Sequence, residues 1–341
     1  SSAAQDWAME TGMGTDVDRF LANSPAEYLT LGENEVMDAP AVITYTYQPG
    51  TPAGDRLYLE AKAGSTMQVA VILRNETAGE GLAALQIKIK AEAGAVVKLS
   101  MVQVLDNGFT CLSDIGTTCA DGASFELTKL ELGSGKLYAG AAADLIGKGS
   151  NFTARIGYLG QGEQRLDMNY VARHRGKKTT CEMDSTGVLA GKAFKLFRGS
   201  IDLLPGGSGA KGQEQENVLL LGDGVMVAPI YTQNASGRHV YLPEPMKLYR
   251  IHSVDDCDTE LLPAGHHYIR CALNEVLLFI RPGHAVPVAK PASCTTQLDE
   301  ADLTLWACPD ESGNAVCRIY TDDGETSDYA APEHWKTLEL K

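Results

Sequence analysis

Leu219-Leu220-Leu221-Gly222-Asp223-Gly224-Val225 divides the chain into two kinds of sequence. Before it, short β-type runs alternate with Gly and Ala turns. After it come Val240-Tyr241-Leu242-Pro243, longer apolar runs, Pro-rich corners and most of the histidines. How this seam is read decides whether the molecule is one fold or two.

Working back from the seam, the pattern is β from residue 56 to about 204. Strands are predicted at 67–73, 85–90, 96–105, 124–132, 136–142, 151–158, 166–172, 179–189 and 194–201. Several alternate apolar and polar residues, as in Phe125-Glu126-Leu127-Thr128-Lys129-Leu130. Gly64-Ser65, Gly94-Ala95, Gly122-Ala123 and Gly149-Ser150 precede strands and recur roughly every 28 residues, within the range of repeat architectures. This predicts a stacked β-solenoid. Each coil turns at a Gly, where positive φ costs little, and buries one face against its neighbours, which a single coil cannot do. An antiparallel sandwich is the competing reading, but the repeat is visible and tight Asn-Gly or Asp-Gly hairpins are few. Gly206-Gly207-Ser208-Gly209-Ala210-Lys211-Gly212-Gln213 reads as a flexible polar linker or a long loop.

Upstream, residues 1–24 form the one helical start, with Trp7, Val17, Phe20 and Leu21 on a shared face and Asn23-Ser24-Pro25 as its stop. Residues 25–55 hold one strand-like run, 42–47, turned by Pro49-Gly50. Downstream, strands are predicted at 225–230, which Pro229 makes an edge or a terminus, then at 239–242, 267–273, 276–280, 285–288, 303–307 and 315–320. That spacing suits a β-sandwich.

The chain has 341 residues, enough for two domains with real cores. Its 44% hydrophobic and 21% charged content is ordinary for a globular protein. A net charge of -15 disfavours binding to a phosphate backbone, and Arg173-His174-Arg175-Gly176-Lys177-Lys178 is too short to offset it and reads as a solvated turn. No apolar run is long enough for a membrane span; the longest candidate, 272–280, contains Asn274 and Glu275. The start has neither the basic nor the apolar region of a signal peptide; the lack of an initiator Met fits a fragment or a processed product. Eight cysteines in this length do not make a disulfide scaffold, and there is no Cys-x-x-Cys pair. Sequons at Asn75, Asn151 and Asn234 read as chance matches. A reducing cytoplasm is expected.

Few residues suggest chemistry. Leu166-Asp167-Met168-Asn169-Tyr170 contains the Asp-Met-Asn found around the nucleophile of family 31 glycoside hydrolases, but without the flanking Trp and Glu or a placed partner acid. Glycoside cleavage needs two facing carboxyl groups, so an ordinary strand with Leu166, Met168 and Tyr170 on one face is predicted. His266 and His267 are adjacent, hence on opposite strand faces, and cannot easily share an ion with Cys271. His174 and Cys181 could meet across neighbouring coils, but they are only two potential ligands. Asp322-Asp323-Gly324 reads as a turn rather than a calcium loop. Gly206-Gly207-Ser208-Gly209-Ala210 misses the last position of a nucleophile elbow. No dinucleotide or P-loop pattern exists.

From about residue 40 to 225 the chain resembles the SufB/SufD family of iron–sulfur cluster assembly scaffolds. The resemblance rests on Leu166-Asp167-Met168-Asn169-Tyr170, His174-Arg175-Gly176-Lys177-Lys178-Thr179, Phe197-Arg198-Gly199-Ser200-Ile201, Gly209-Ala210-Lys211-Gly212-Gln213-Glu214 and Asn217-Val218-Leu219-Leu220-Leu221, in the family's order. It implies a right-handed β-helix, and SufB and the ATPase SufC as partners. In the family an Asn-His-Gly-Ala-type segment and the helices that dock the ATPase follow; this sequence departs from the pattern there, so no assembly residue carries over and the partnership loses its docking helices.

From residue 219 onward the chain resembles the C-terminal β domains of family 31 glycoside hydrolases, the α-glucosidase group. Leu221-Gly222-Asp223-Gly224-Val225-Met226-Val227-Ala228-Pro229-Ile230, Gly237-Arg238-His239-Val240-Tyr241-Leu242-Pro243, Leu277-Leu278-Phe279-Ile280-Arg281-Pro282-Gly283-His284-Ala285-Val286-Pro287 and Tyr320-Thr321-Asp322-Asp323-Gly324 carry this match. In that family the catalytic acids belong to a barrel that this sequence lacks.

The expectation is therefore a mainly β chain: an N-terminal helix and approach strand (1–55), a SufD-like β-helix (56–218) and a β-sandwich (219–341). It reads as a non-catalytic assembly scaffold module fused to a glycosidase-type β domain, both incomplete. The alternatives are a hydrolase fragment or carbohydrate-contacting sandwich, and a chimera with no retained activity. No catalytic, cofactor-binding or metal residue is assigned, no cofactor is expected, and neither nucleic acid nor membrane is a partner. Self-association through an exposed solenoid edge is expected.

Overall fold

The computed structural model describes residues 7–221, 224–230, 235–253, 256–290, 302–322 and 335–340. The chain divides into two compact units, Ser1–Val218 and Leu219–Lys341.

In the first unit, helix α1 (Thr15–Phe20) precedes β1 (Ala26–Leu31), β2 (Ala41–Tyr47), β3 (Ala53–Ala61), β4 (Thr66–Asn75), β5 (Gly81–Ala91), β6 (Val96–Gln103) and β7 (Phe109–Cys119). Then follow β8 (Ser124–Glu131), β9 (Lys136–Leu145), β10 (Asn151–Gly160), β11 (Arg165–His174), β12 (Thr180–Ala190), β13 (Phe194–Leu203) and β14 (Lys211–Leu221), which runs across the division between the units. The odd strands β1 to β13 form one seven-stranded sheet in chain order, and the even strands from β2 to β14 line up in the other. Pairing is parallel from β1 to β13 and from β2 to β12. Each coil thus gives one strand to each sheet and pairs with the coil before and after, which is a β-solenoid.

The corners follow from the glycine repeat. Gly64, Gly94, Gly122 and Gly149 have φ of 68°, 68°, 64° and 70°, and the N–H of each donates to a carbonyl of the next coil: Ala93, Asp121, Lys148 and Lys177. At the next corner Lys178 takes this role with φ 56°, donating to Ser208, so the backbone keeps its path where the glycine repeat lapses.

The interior is a continuous apolar column running from Tyr45 to Met183. In-register residues stack from coil to coil: Phe125 opposes Phe152, with ring centroids 5.4 Å apart.

Strands β1 and β3 were not among those predicted, and three further details depart from the predicted pattern. The helix is shorter than expected, and its apolar face differs. Val17 and Leu21 are buried with Ala84, against Met13 and Leu112, whereas Phe20 is 51% exposed. Trp7 lies outside the helix, with its ring 4.9 Å from that of Tyr58. Second, Phe109-Thr110-Cys111-Leu112-Ser113-Asp114-Ile115-Gly116-Thr117-Thr118-Cys119 is a strand without clean alternation, because residues 9–13 lie over it. Gly12 N–H donates to Ile115 O, and Met13 N–H donates to Asp114 Oδ1 at 2.9 Å. This close approach needs glycine on both sides: a Cβ on Gly12 would stand 2.1 Å from Ala141 N, and one on Gly116 would stand 2.8 Å from Glu10 O. Third, the expected linker 206–213 is a tight turn followed by strand. Lys178 N–H donates to Ser208 O, Lys211 N–H donates to Thr179 O, and β14 begins at Lys211.

In the second unit, β15 (Val225–Val227), β16 (Gly237–Leu242), β17 (Met246–Ser253), β18 (Asp256–Leu262), β19 (Gly265–Arg270), β20 (Val276–Ile280), β21 (His284–Ala289), β22 (Leu303–Cys308), β23 (Cys317–Asp322) and β24 (Trp335–Leu340) follow. All pair antiparallel. Strands β18, β17, β20 and β15 hydrogen-bond side by side in that order as one layer, and β16 pairs with β19 as a second. Val240, Leu242 and Ile269 of that layer bury against Met226, Leu248 and Phe279 of the first, the two-faced core of a sandwich. Strands β17, β18 and β24 were not among those predicted. No helix among the described residues is long and apolar enough to cross a membrane.

Candidate functional site

Most residues flagged by the sequence are kept apart. On β11, Leu166, Met168 and Tyr170 point inward and are buried. Asp167 points outward, where its carboxylate accepts from Arg198, and Asn169 donates from Nδ2 to Gly12 O at 2.7 Å. The basic run 173–178 is divided by the corner. Arg173 pairs with Glu10 at 2.8 Å and Arg175 with Asp144 at 3.0 Å, while His174 turns inward. His266 and His267 diverge: the first lies 4.9 Å from the Tyr241 ring, and Nε2 of the second is 2.8 Å from Pro263 O. Cys271 contacts the Glu275 carbonyl instead of either. Asn234, Gly222-Asp223 and Asp323-Gly324 lie outside the described residues. Among the described residues, no three His, Cys, Asp or Glu side chains converge as metal ligands.

His174 and Cys181 do meet. His174 ends β11, and Cys181 is the second residue of β12, so the corner between them folds both side chains into the interior. His174 Nε2 stands 3.4 Å from Cys181 Sγ, and Nδ1 stands 2.6 Å from Thr179 Oγ1. Thr179 Oγ1 also donates to Gly176 O at 3.3 Å. A hydroxyl has one hydrogen, and a carbonyl can only accept. Satisfying both contacts therefore requires Nδ1–H to donate to Thr179, which leaves Nε2 as the bare nitrogen facing the thiol. His174 is fully buried, and burial lowers its pKa. Burial likewise pushes the Cys181 thiol up to about 11; the Gln213 backbone N–H opposes this and Glu214 adds to it. The pair therefore rests as neutral S–H···N.

A second constellation had no signal in any motif. Lys129 and Glu131, both on β8 and both fully buried, form an ion pair at 3.0 Å inside the solenoid, held by charge rather than by an aligned hydrogen bond. Cys111 and Tyr170 lie within their field. Burial first, and Glu131 second, raise both the Cys111 thiol and the Tyr170 phenol. The sequence did hold a clue in its phase. Phe125 and Leu127 point inward, so parity sends residues 129 and 131 inward as well, and Leu130 and Leu132 are left 38% and 40% exposed. The alternation expected through Leu130 is thus broken at Lys129.

A cleft of about 720 Å³ opens on another corner. At its floor Gln164 donates to Asn107 Oδ1 and Ser134 O at 2.8 and 2.9 Å; Glu80, Lys136 and Glu163 line it as well.

Residues 45–230, over half of the chain, match the family described as SUF system FeS cluster assembly, SufBD core domain. The chain belongs to the SufBD core family. The solenoid is thus a SufBD core, and β11 with its Asp167-Met168-Asn169 is one of its coil strands. Residues 208–286 match the glycosyl hydrolase family 31 C-terminal domain, overlapping the SufBD match across the seam. Among curated proteins, alpha-glucosidase 2 of Bacillus thermoamyloliquefaciens is 31% identical over 111 residues, 32% of this chain and 13% of that protein. A probable alpha/beta-glucosidase of Arthroderma benhamiae is 28% identical over 113 residues, 31% of this chain and 12% of that protein. The match thus spans about an eighth of each relative's length.

Proposed function

We propose that this SufBD-family chain is a non-catalytic, SufD-like scaffold module of iron–sulfur cluster assembly, joined to a β domain of the family 31 glycosidase type. The observation that carries the reading is the placement of the solenoid thiols. Within the matched region, Cys111, Cys119 and Cys181 are all buried free thiols, and burial raises the pKa of each. Cluster ligation needs thiolates, so these groups support a structural partner better than a cluster holder. SufB- and SufC-type proteins are the proposed partners, in the cytoplasm.

Co-expression with SufB- and SufC-type proteins, followed by affinity capture through this chain, tests the reading. Capture of either partner is expected, together with no visible chromophore when the chain alone is treated anaerobically with iron and sulfide. A stable coloured cluster on the chain alone would make it a carrier instead. A second reading, a carbohydrate-contacting sandwich, draws support from the family 31 match at 208–286. Under the scaffold reading a chromogenic α-glucoside stays uncleaved and α-glucan gels leave the chain's migration unchanged; turnover or retardation would favour the second. If the two modules were joined by misassembly, long reads of the source DNA would break at the codons for 219–226.

A further inference from the structure

We propose that Cys181 is a base-assisted oxidation site for hydroperoxides, with His174 as proton acceptor and Thr179 as the residue that holds His174 in the required tautomer. This inference does not depend on the scaffold reading.

Three observations carry it. The first is the ordered set of contacts, thiol to Nε2 and Nδ1–H to Thr179: a nucleophile, its base and an orienting group. The second is access. Where β14 passes Cys181, the inward residue is Gly212, and a Cβ there would stand only 2.9 Å from Sγ. Gly212 therefore places no side chain over the sulfur. Gly212 and the next inward residue, Glu214, are both exposed. Cys181 retains 5% exposure, whereas Cys111 and Cys119 have none. The third is size. A residue only 5% exposed is reached more readily by a small reagent, which favours hydrogen peroxide or a small alkyl hydroperoxide over bulky disulfides.

The thiol proton passes to Nε2 of His174 while sulfur forms a bond to one peroxide oxygen. The O–O bond breaks, and the leaving group, hydroxide from hydrogen peroxide or alkoxide from an alkyl hydroperoxide, takes the proton from His174 to give water or the alcohol. Sulfur is oxidised by two electrons to the sulfenic acid, and the peroxide is reduced. Glu214, on β14, is the charged group whose field acts at the sulfur. It opposes thiolate formation, so the reaction depends on proton transfer to His174 during attack rather than on a preformed thiolate.

The test treats the full chain with limiting hydrogen peroxide, traps sulfenic acid with a cyclic diketone and quantifies labelled peptides by mass spectrometry. Labelling of Cys181 is expected to exceed that of Cys111 and Cys119 by at least about ten-fold. Removing a proton acceptor costs about a hundred-fold or more, so His174→Gln should lose that much rate at Cys181. It should also lose the fall in rate as His174 becomes protonated at low pH. Thr179→Val should slow labelling and keep the pH profile. Cys111 and Cys119 report folding: a variant that exposes its interior labels all three, and the decision then rests on the other variant and on the wild-type ratio. Equal labelling of the three cysteines in the wild type would overturn the proposal. So would an unchanged Cys181 rate and pH profile in a folded His174→Gln protein.

Discussion

Replacing Lys129 by Met while Glu131 stays in place strands a carboxylate inside the solenoid. Breaking a buried pair from one side costs about 3–5 kcal/mol, whereas replacing both partners by apolar groups is often neutral or stabilising. Lys129→Met is therefore expected to lower the urea midpoint sharply, and Lys129→Met with Glu131→Leu to recover most of the loss. His174 gives a pH signature. Its folded pKa lies below the ordinary 6.5, so the folded state takes up its proton later than the unfolded chain does. His174's contribution is neutral above about 6.5 and becomes destabilising as pH falls from there to the lowered value. His174→Gln should flatten the stability profile in that window, read from urea midpoints at several pH values. Both sites were only half legible in the sequence. The strand parity was there to place Lys129 inward, but the residue type argued for the surface.

The N-terminal segment 9–14 is the element most dependent on tertiary fit. It rests on glycines, and Gly12→Ala would drive a Cβ into the Ala141 backbone. Backbone cannot yield as a flexible side chain can, so a loss of about 1–3 kcal/mol is expected, with faster hydrogen exchange at the Met13 amide. Asp114 anchors the same segment. Burial, partly offset by hydrogen bonds from Gln86, Thr11 and the Met13 amide, raises its pKa. Its contribution is full below the ordinary carboxylate range and is lost as pH rises through the raised value. Asp114→Asn should therefore gain on the wild type as pH rises through that window, with Met13 still protected because the amide oxygen accepts the same bond. Strands with clean alternation, such as β4 and β10, were readable from sequence. β7 was not, because the covering segment buries its outer face as the core buries its inner one, and β14 was not, because its start is a polar Gly-Gln-Glu run placed by pairing with β12.

At the scale of the molecule, a net charge of -15 predicts that the chain passes a heparin or DNA column at low salt without retention, while an anion exchanger holds it; retention on the polyanion would reveal a basic surface that the composition hides. The sequence by itself determined the large pattern. The glycine period specifies a solenoid, the seam marks where coil grammar ends, and the antiparallel strands after it specify a sandwich. These features repeat locally, and a local repeat leaves its period in the chain. Only the tertiary structure decided which side chains meet: Gly12 on Gly140, Lys129 with Glu131 inside the column, Nε2 of His174 at the Cys181 sulfur. Those contacts depend on how coils register against one another and on where a corner turns, and that geometry is set by the stack as a whole rather than by any one stretch within it.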